Sequence, residues 1–114
     1  MGTPKVSVII PAYNGKEYLA EAIRSVLDQT YPNFEIVVVD DASPEFLWDI
    51  INKFNDPRVR IIRHERNFGA VAARQTGFKA SSGDIIALLD QDDLFHKKNF
   101  KCMSIIYEII LKSV

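Results

Sequence analysis

Asp90, Asp92 and Asp93 place three carboxylates within four positions, directly after the apolar run Ile85-Ile86-Ala87-Leu88-Leu89. Acids this close repel one another and are costly unless a cation or hydrogen-bond donors neutralise them. Hard divalent cations such as Mg2+ or Mn2+ favour oxygen ligands of this kind, often shared with phosphate groups. A second pair, Asp40-Asp41, closes the run Phe34-Glu35-Ile36-Val37-Val38-Val39. A lone aspartate after a strand is ordinarily a turn or cap former. It is the cluster following a buried run that points to function.

The elements that position these acids follow from the pattern. Ile85 to Leu89 reads as a strand buried on both faces of a parallel sheet. Val6 to Ile10 is a first strand, closed by Pro11 because proline cannot donate to a ladder, with Ala12-Tyr13-Asn14 as the loop beyond. Asn14 and Glu17 have capping-box spacing before a helix to about Asp28, striped by Leu19, Ala22, Ile23, Val26 and Leu27. Phe34 to Val39 is a central strand. Ser43-Pro44 predicts an N-cap and first helical position for a helix with Leu47, Ile50, Ile51 and Phe54 buried, ending before Asp56-Pro57. Arg58 to Arg63 is a more polar strand nearer an edge. A third helix spans about Val71 to Lys79, and its small residues Ala70, Ala72, Ala73 and Gly77 allow close approach to the sheet or a ligand. From about Lys97 an apolar helix runs toward Val114 with more than one apolar stripe. Such a helix wants cover on both sides, which predicts a longer protein and self-association through that helix.

Strands alternating with helices predict an α/β fold with a mainly parallel sheet flanked by helices. All parallel strands present their C-terminal ends at one edge. Asp40, Asp41, Asp90, Asp92 and the loop Pro11 to Asn14 are therefore expected to line one crevice.

The chain has 114 residues, 47% of them hydrophobic and 25% charged, with a net charge of −1. That length fits one domain with a real core, and that charge implies no strong attraction to nucleic acid or anionic lipid. The single cysteine, Cys102, excludes an intramolecular disulfide and leans toward a cytoplasmic setting. The N-terminus lacks the apolar region of a signal peptide. His64 and His96 are single histidines in loops without ligand spacing, expected to be solvated or capping.

Taken in order, Val6 to Asn14, Val37-Val38-Val39-Asp40-Asp41-Ala42-Ser43, Asn67-Phe68-Gly69 with Ala73-Arg74 and Gly77, and Gly83-Asp84 through Asp93 resemble the family 2 glycosyltransferases with the Rossmann-like GT-A fold. The resemblance covers about residues 5 to 95. It implies sugar transfer from a nucleotide-diphosphate donor, usually UDP-linked, to an acceptor hydroxyl on a glycan or lipid carrier, with full-length relatives often working at the inner membrane face. By position, Asp41 matches the acid that hydrogen-bonds the base, and Pro11, Ala12 and Tyr13 match the loop packing on base and ribose. Asn67, Gly69 and Arg74 match the donor-facing loop and helix. Asp90-Gln91-Asp92 matches the Asp-x-Asp motif, whose second acid binds Mn2+ or Mg2+ and whose first lies near the ribose. Ala42-Ser43-Pro44-Glu45 departs from the commoner Gly-Ser-Thr-Asp. The acceptor-binding half, where the general base of inverting members lies, has no counterpart in residues 1–114. The chain therefore corresponds to the N-terminal, nucleotide-sugar-binding part, expected to bind nucleotide weakly and not to turn over.

Other readings of the acids stay open at this point. A haloacid-dehalogenase-type phosphatase would carry its Asp-x-Asp on the first strand. A nucleotidyltransferase would want a glycine-rich basic loop after strand one. A response-regulator-like domain would need a facing lysine at a later strand end.

Overall fold

The computed structural model describes residues 4–29 and 31–89. Asp90, Gln91, Asp92, His96, Cys102 and the expected last helix lie outside the described residues. Four strands, β1 (Val6–Ala12), β2 (Phe34–Asp40), β3 (Val59–Arg63) and β4 (Ile85–Leu88), alternate with α1 (Lys16–Leu27), α2 (Trp48–Phe54) and α3 (Ala70–Ala80). The strands form one sheet in the order β3-β2-β1-β4, with every pairing parallel. The α/β class read from the sequence is the fold observed.

Side-chain alternation along the strands builds three layers. Val6, Val8, Ile10, Ile36 and Val38 pack with Leu19, Ile23 and Val26 of α1, Ile50 of α2 and Leu47 just before α2. Val37 and Val39 face the other way, onto Ala73 of α3. Gly77 makes that second contact close: a Cβ there would lie 2.4 Å from the Ile9 side chain and 3.3 Å from that of Val39. Of the small residues of α3, Ala73 and Gly77 serve approach to the sheet, one of the two roles expected, while Ala70 is exposed.

Four local expectations are corrected. Pro11 does not end β1: the strand continues through it to Ala12, opposite Val39 and Asp40. Ile9 accepts a bond from the Leu89 N–H on the β4 side, whereas Ala12 accepts from the Asp41 N–H on the β2 side. Alternate residues face alternate neighbours, so Pro11 turns its missing donor toward β4, past the last β1–β4 pair, Ile9 with Leu88. Neither helix cap forms as the spacing suggests. α1 is capped by Gly15 in the left-handed region without a side-chain bond, and α2 starts at Trp48 behind Leu47. Ser43 instead accepts the Asn14 N–H at 2.7 Å, tying the two loops together. Finally, β4 is buried on one face only. Ile85, Ala87 and Leu89 join the core, while Leu88 is 41% exposed.

The sheet edge at the strand N-termini carries a polar brace with no sequence signature. Glu35 Oε2 accepts from the Ser7 hydroxyl at 2.6 Å and the Ser82 N–H at 2.7 Å. Arg60 lies 3.3 Å from its other oxygen. Gly83 donates to Ser7 Oγ at 2.8 Å; a Cβ there would sit 2.5 Å from Ser7 Oγ and 2.7 Å from the Lys5 carbonyl oxygen. The brace fastens the entry of β4 to β1 and β2.

Candidate functional site

β2 and β3 extend from β1 in one direction and β4 lies on its other side. Such a reversal opens a crevice at the C-terminal ends of the strands, where open α/β sheets bind ligands. β1 contributes Pro11 and Ala12 to that edge, followed by Tyr13, which is 48% exposed. β2 contributes Asp40 and Asp41; β3 contributes Arg63 and His64. Register explains their pairing. Asp40 lies opposite Arg63, so the next residues, Asp41 and His64, are neighbours on the opposite face.

The two acids have different fates. Asp40 is fully buried. Its Oδ1 accepts from the Ser43 N–H at 2.9 Å, and Arg63 Nη1 donates to its Oδ2 at 2.6 Å. Arg63 also donates to the Ser43 carbonyl oxygen at 2.9 Å. This corrects the expectation that Asp40 lines the crevice: its carboxylate is committed to holding the loop after β2. Ala42, within that loop, sits at φ 61°. The left-handed conformation costs an L-residue about 1–2 kcal/mol, which is the physical meaning of the departure from glycine there.

Asp41 is 5% exposed. Its Oδ1 lies 2.8 Å from His64 Nδ1 and accepts the Phe68 N–H at 2.9 Å; its Oδ2 accepts the Gly69 N–H at 2.9 Å. His64 Nε2 meets Thr76 Oγ1 of α3 at 2.7 Å, and its ring meets Phe68 edge-on. Because a carboxylate only accepts, Nδ1 carries the proton, and the Thr76 hydroxyl can donate to Nε2. Gly69 has φ 98° and ψ 165°, a region open essentially to glycine alone, and this geometry aims its N–H at Asp41. Burial pushes the Asp41 carboxyl up, but the bonds from His64 and the Phe68 and Gly69 N–H groups outweigh it and hold it below its ordinary 3.8.

A depressed pKa in the folded state contributes stability that is complete above the unfolded value and is lost as pH falls through the folded one. Glu35 follows the same rule. Burial pushes it up, and the Ser7 and Ser82 bonds with the Lys5 charge bring it below its ordinary 4.5. The stability these two groups hold is therefore expected to be complete well above pH 4.5 and to be lost progressively as pH falls through 4.5 for Glu35 and then 3.8 for Asp41, their ordinary values. Urea unfolding across that range checks this, with Asp41→Asn giving a shallower loss than the parent.

The family model of glycosyl transferase family 2 matches residues 7–103. The chain belongs to glycosyl transferase family 2. A relative from Escherichia coli, the UDP-Glc:alpha-D-GlcNAc-diphosphoundecaprenol beta-1,3-glucosyltransferase WfaP, is 46% identical over 88 residues, covering 77% of this chain and 35% of the relative. The structure of S. aureus TarS 1-349 in complex with UDP-GlcNAc matches with a TM-score of 0.75 and 30% identity, over 92% of this chain and 31% of TarS. A Pyrobaculum calidifontis mannosyltransferase, PcManGT, in complex with GDP-Man and Mn2+, matches at a TM-score of 0.76 over 91% of this chain and 32% of that one; at 24% identity it shows the fold alone. The chain thus spans about a third of the length of these proteins. Membership of this family removes the phosphatase, nucleotidyltransferase and response-regulator readings of the acids.

Within this family 2 chain, Asp41 and Gly69 are joined directly, and Pro11 and Ala12 run beside Val39 and Asp40. Asn67 is exposed in the loop that feeds Gly69. Arg74 stands on α3 beside a shallow depression lined by Ile9, Gln75, Phe78, Ile86 and Leu88. That lining is apolar. No group of three metal-ligating side chains occurs among the described residues. His64 is the residue that sequence reasoning missed. It was expected to be solvated or capping, yet it is nearly buried between Asp41 and Thr76. The available signal was Arg63-His64 closing β3 as the complement of Asp40-Asp41 closing β2.

Proposed function

We infer that this chain is the nucleotide-sugar-binding part of a glycosyltransferase that moves a sugar from a UDP-linked donor to a hydroxyl on a glycan or lipid-linked acceptor. The observation that carries it is Asp41, an ionised acceptor held rigidly at the ligand-binding edge of a family 2 sheet. Asp41 accepts an N–H of the base. Pro11, Ala12 and Tyr13 pack on base and ribose; Asn67, Gly69, Arg74 and Gln91 complete the donor side. TarS in complex with UDP-GlcNAc and UDP, and the UDP-Glc specificity in the name of WfaP, support the choice of UDP. The all-oxygen donor set of Asp90 and Asp92 suits Mn2+ or Mg2+. Such an ion supplies charge stabilisation to the leaving diphosphate. The general base belongs to the acceptor-binding part.

Titration with UDP, GDP and CDP, with and without Mn2+, followed by amide chemical shifts because weak binding is expected, tests this. UDP is expected to bind best and to gain affinity from Mn2+, with the metal-dependent gain lost in Asp92→Ala. Equal, metal-independent binding of all three would overturn it.

A further inference from the structure

Asp41 has a small remaining acceptor capacity, and His64 sets it. A carboxylate offers about four lone-pair sites, two on each oxygen. Oδ1 has both filled, by His64 Nδ1 at 2.8 Å and the Phe68 N–H at 2.9 Å. Oδ2 has one filled, by the Gly69 N–H at 2.9 Å. Among the described residues no other donor reaches Asp41, which leaves one lone pair, on Oδ2, for a ligand. His64 is itself fixed from behind by Thr76 Oγ1 at 2.7 Å and edge-on by Phe68. It cannot swing away without breaking its link to α3.

Resting on the reading of Asp41 as the base acceptor, we propose that His64 is a specificity-determining residue: by saturating Oδ1 it reduces Asp41 to a single acceptor, selecting bases that present one N–H. Uracil does so, with N3–H flanked by carbonyls. Cytosine presents no N–H at that ring position. Guanine presents N1–H together with its exocyclic amine, a two-donor edge that suits a carboxylate with both oxygens open. Here that amine goes unmatched. Hypoxanthine has the same purine frame as guanine with the N1–H alone, so the two purines separate donor count from ring size.

Among the described residues, the charged groups beside this contact are Arg63, the exposed Glu65 and Arg66. Arg63 precedes His64 and faces Asp40 at 2.6 Å. Arg66 stacks on the outer face of Phe68 with its guanidinium 5.1 Å from the ring. His64 meets α3 through the neutral hydroxyl of Thr76.

The test is a titration of the whole chain with UDP, N3-methyl-UDP, IDP and GDP in Mn2+, read from the Phe68 and Gly69 amide shifts. UDP is expected to bind best, and IDP about fivefold more tightly than GDP, the worth of one hydrogen bond left unmade. His64→Ala reopens Oδ1 and is expected to narrow or reverse the IDP-to-GDP ratio, while His64→Asn, whose amide can restore the donor, keeps it. GDP binding as tightly as IDP to the parent chain overturns the proposal, as does an equal loss for both nucleotides in His64→Ala, the mark of a merely structural histidine. Should His64→Ala not fold, the parent's IDP-to-GDP ratio and His64→Asn decide. N3-methyl-UDP binding as well as UDP strikes instead at the reading of Asp41 as base acceptor, so the two failures are told apart.

Discussion

Replacing Asp41 with alanine is expected to weaken UDP binding on the order of a hundredfold, about 2.7 kcal/mol, and to destabilise the fold by about 3 kcal/mol. Both effects have one source. Asp41 is an internal anchor as well as the proposed ligand group: it collects His64 Nδ1, the Phe68 N–H and the Gly69 N–H, and so holds the entry of α3 to the tip of β2. Removing it leaves three donors without their charged acceptor, and the desolvation cost falls on each that stays buried. Asp41→Asn separates the roles. The side-chain oxygen still accepts one or two of the three bonds, so stability is expected to drop by about half as much. Nucleotide affinity still falls, because the amide nitrogen presents a donor where a base N–H needs an acceptor. Urea unfolding gives the first quantity and nucleotide titration the second. An Asp41→Asn chain that binds UDP like the parent would falsify the assignment of Asp41 to the base.

At the opposite edge of the sheet, Glu35→Ala is expected to cost about 2 kcal/mol without a direct effect on nucleotide contacts. Glu35 is nearly buried and accepts from the fully buried Ser7 hydroxyl and from the N–H of the exposed Ser82, so alanine strands the Ser7 donor, which water reaches poorly. Arg60 and Lys5 are 46% and 38% exposed, so they can return to water. For that reason the loss is assigned to the stranded hydrogen bonds rather than to the ion pairs. Glu35→Gln keeps an acceptor oxygen and is expected to lose about 1–2 kcal/mol. The check is the urea midpoint at unchanged slope. A Glu35→Ala chain within about 0.5 kcal/mol of the parent would show that the brace is ornamental.

The fold was legible because period and punctuation agree along most of the chain. The uninterrupted run at β2 ends in acids, and the stripe Leu19, Ala22, Ile23, Val26 has one reading only. The errors cluster where a local signal met a tertiary partner. Pro11 is a strand terminator only if a paired neighbour needs its N–H, and its missing donor points away from β2, past the last described β1–β4 pair. Ser43 and Asn14 each carried a capping signal, but the loops meet, and their bond to each other took precedence over the helix starts. β4 looked buried on both faces because an apolar run cannot say which of its faces is covered; Leu88 emerges beside Arg74 and Phe78 on the thinner side of the sheet.

The site was legible in part for the same reason. Asp41 could be picked out from its place after a buried strand and from the family resemblance. That Asp40 is consumed internally could not be read, since the sequence shows two adjacent acids without their burial. His64 was passed over as an isolated loop histidine. Its partners lie 23 residues before it and 12 after it. Only the parallel register of β2 and β3, Asp40 opposite Arg63, brings the three together.

The central claim is that nucleotide diphosphate and metal meet at the C-terminal edge of the sheet, between the tips of β1 and β2 and the chain following β4. Paramagnetic line broadening tests it most directly, with Mn2+ added to the isotope-labelled chain in the presence of UDP. Seven-residue strands separate the two sheet edges by about 20 Å, far enough for a local relaxation effect to tell them apart. Amides of Ala12, Tyr13, Asp41 and Gly69 are expected to broaden while those of Lys5, Glu35 and Gly83 stay sharp. Broadening centred on Lys5, Glu35 and Gly83 would contradict the claim, as would broadening spread evenly over both edges.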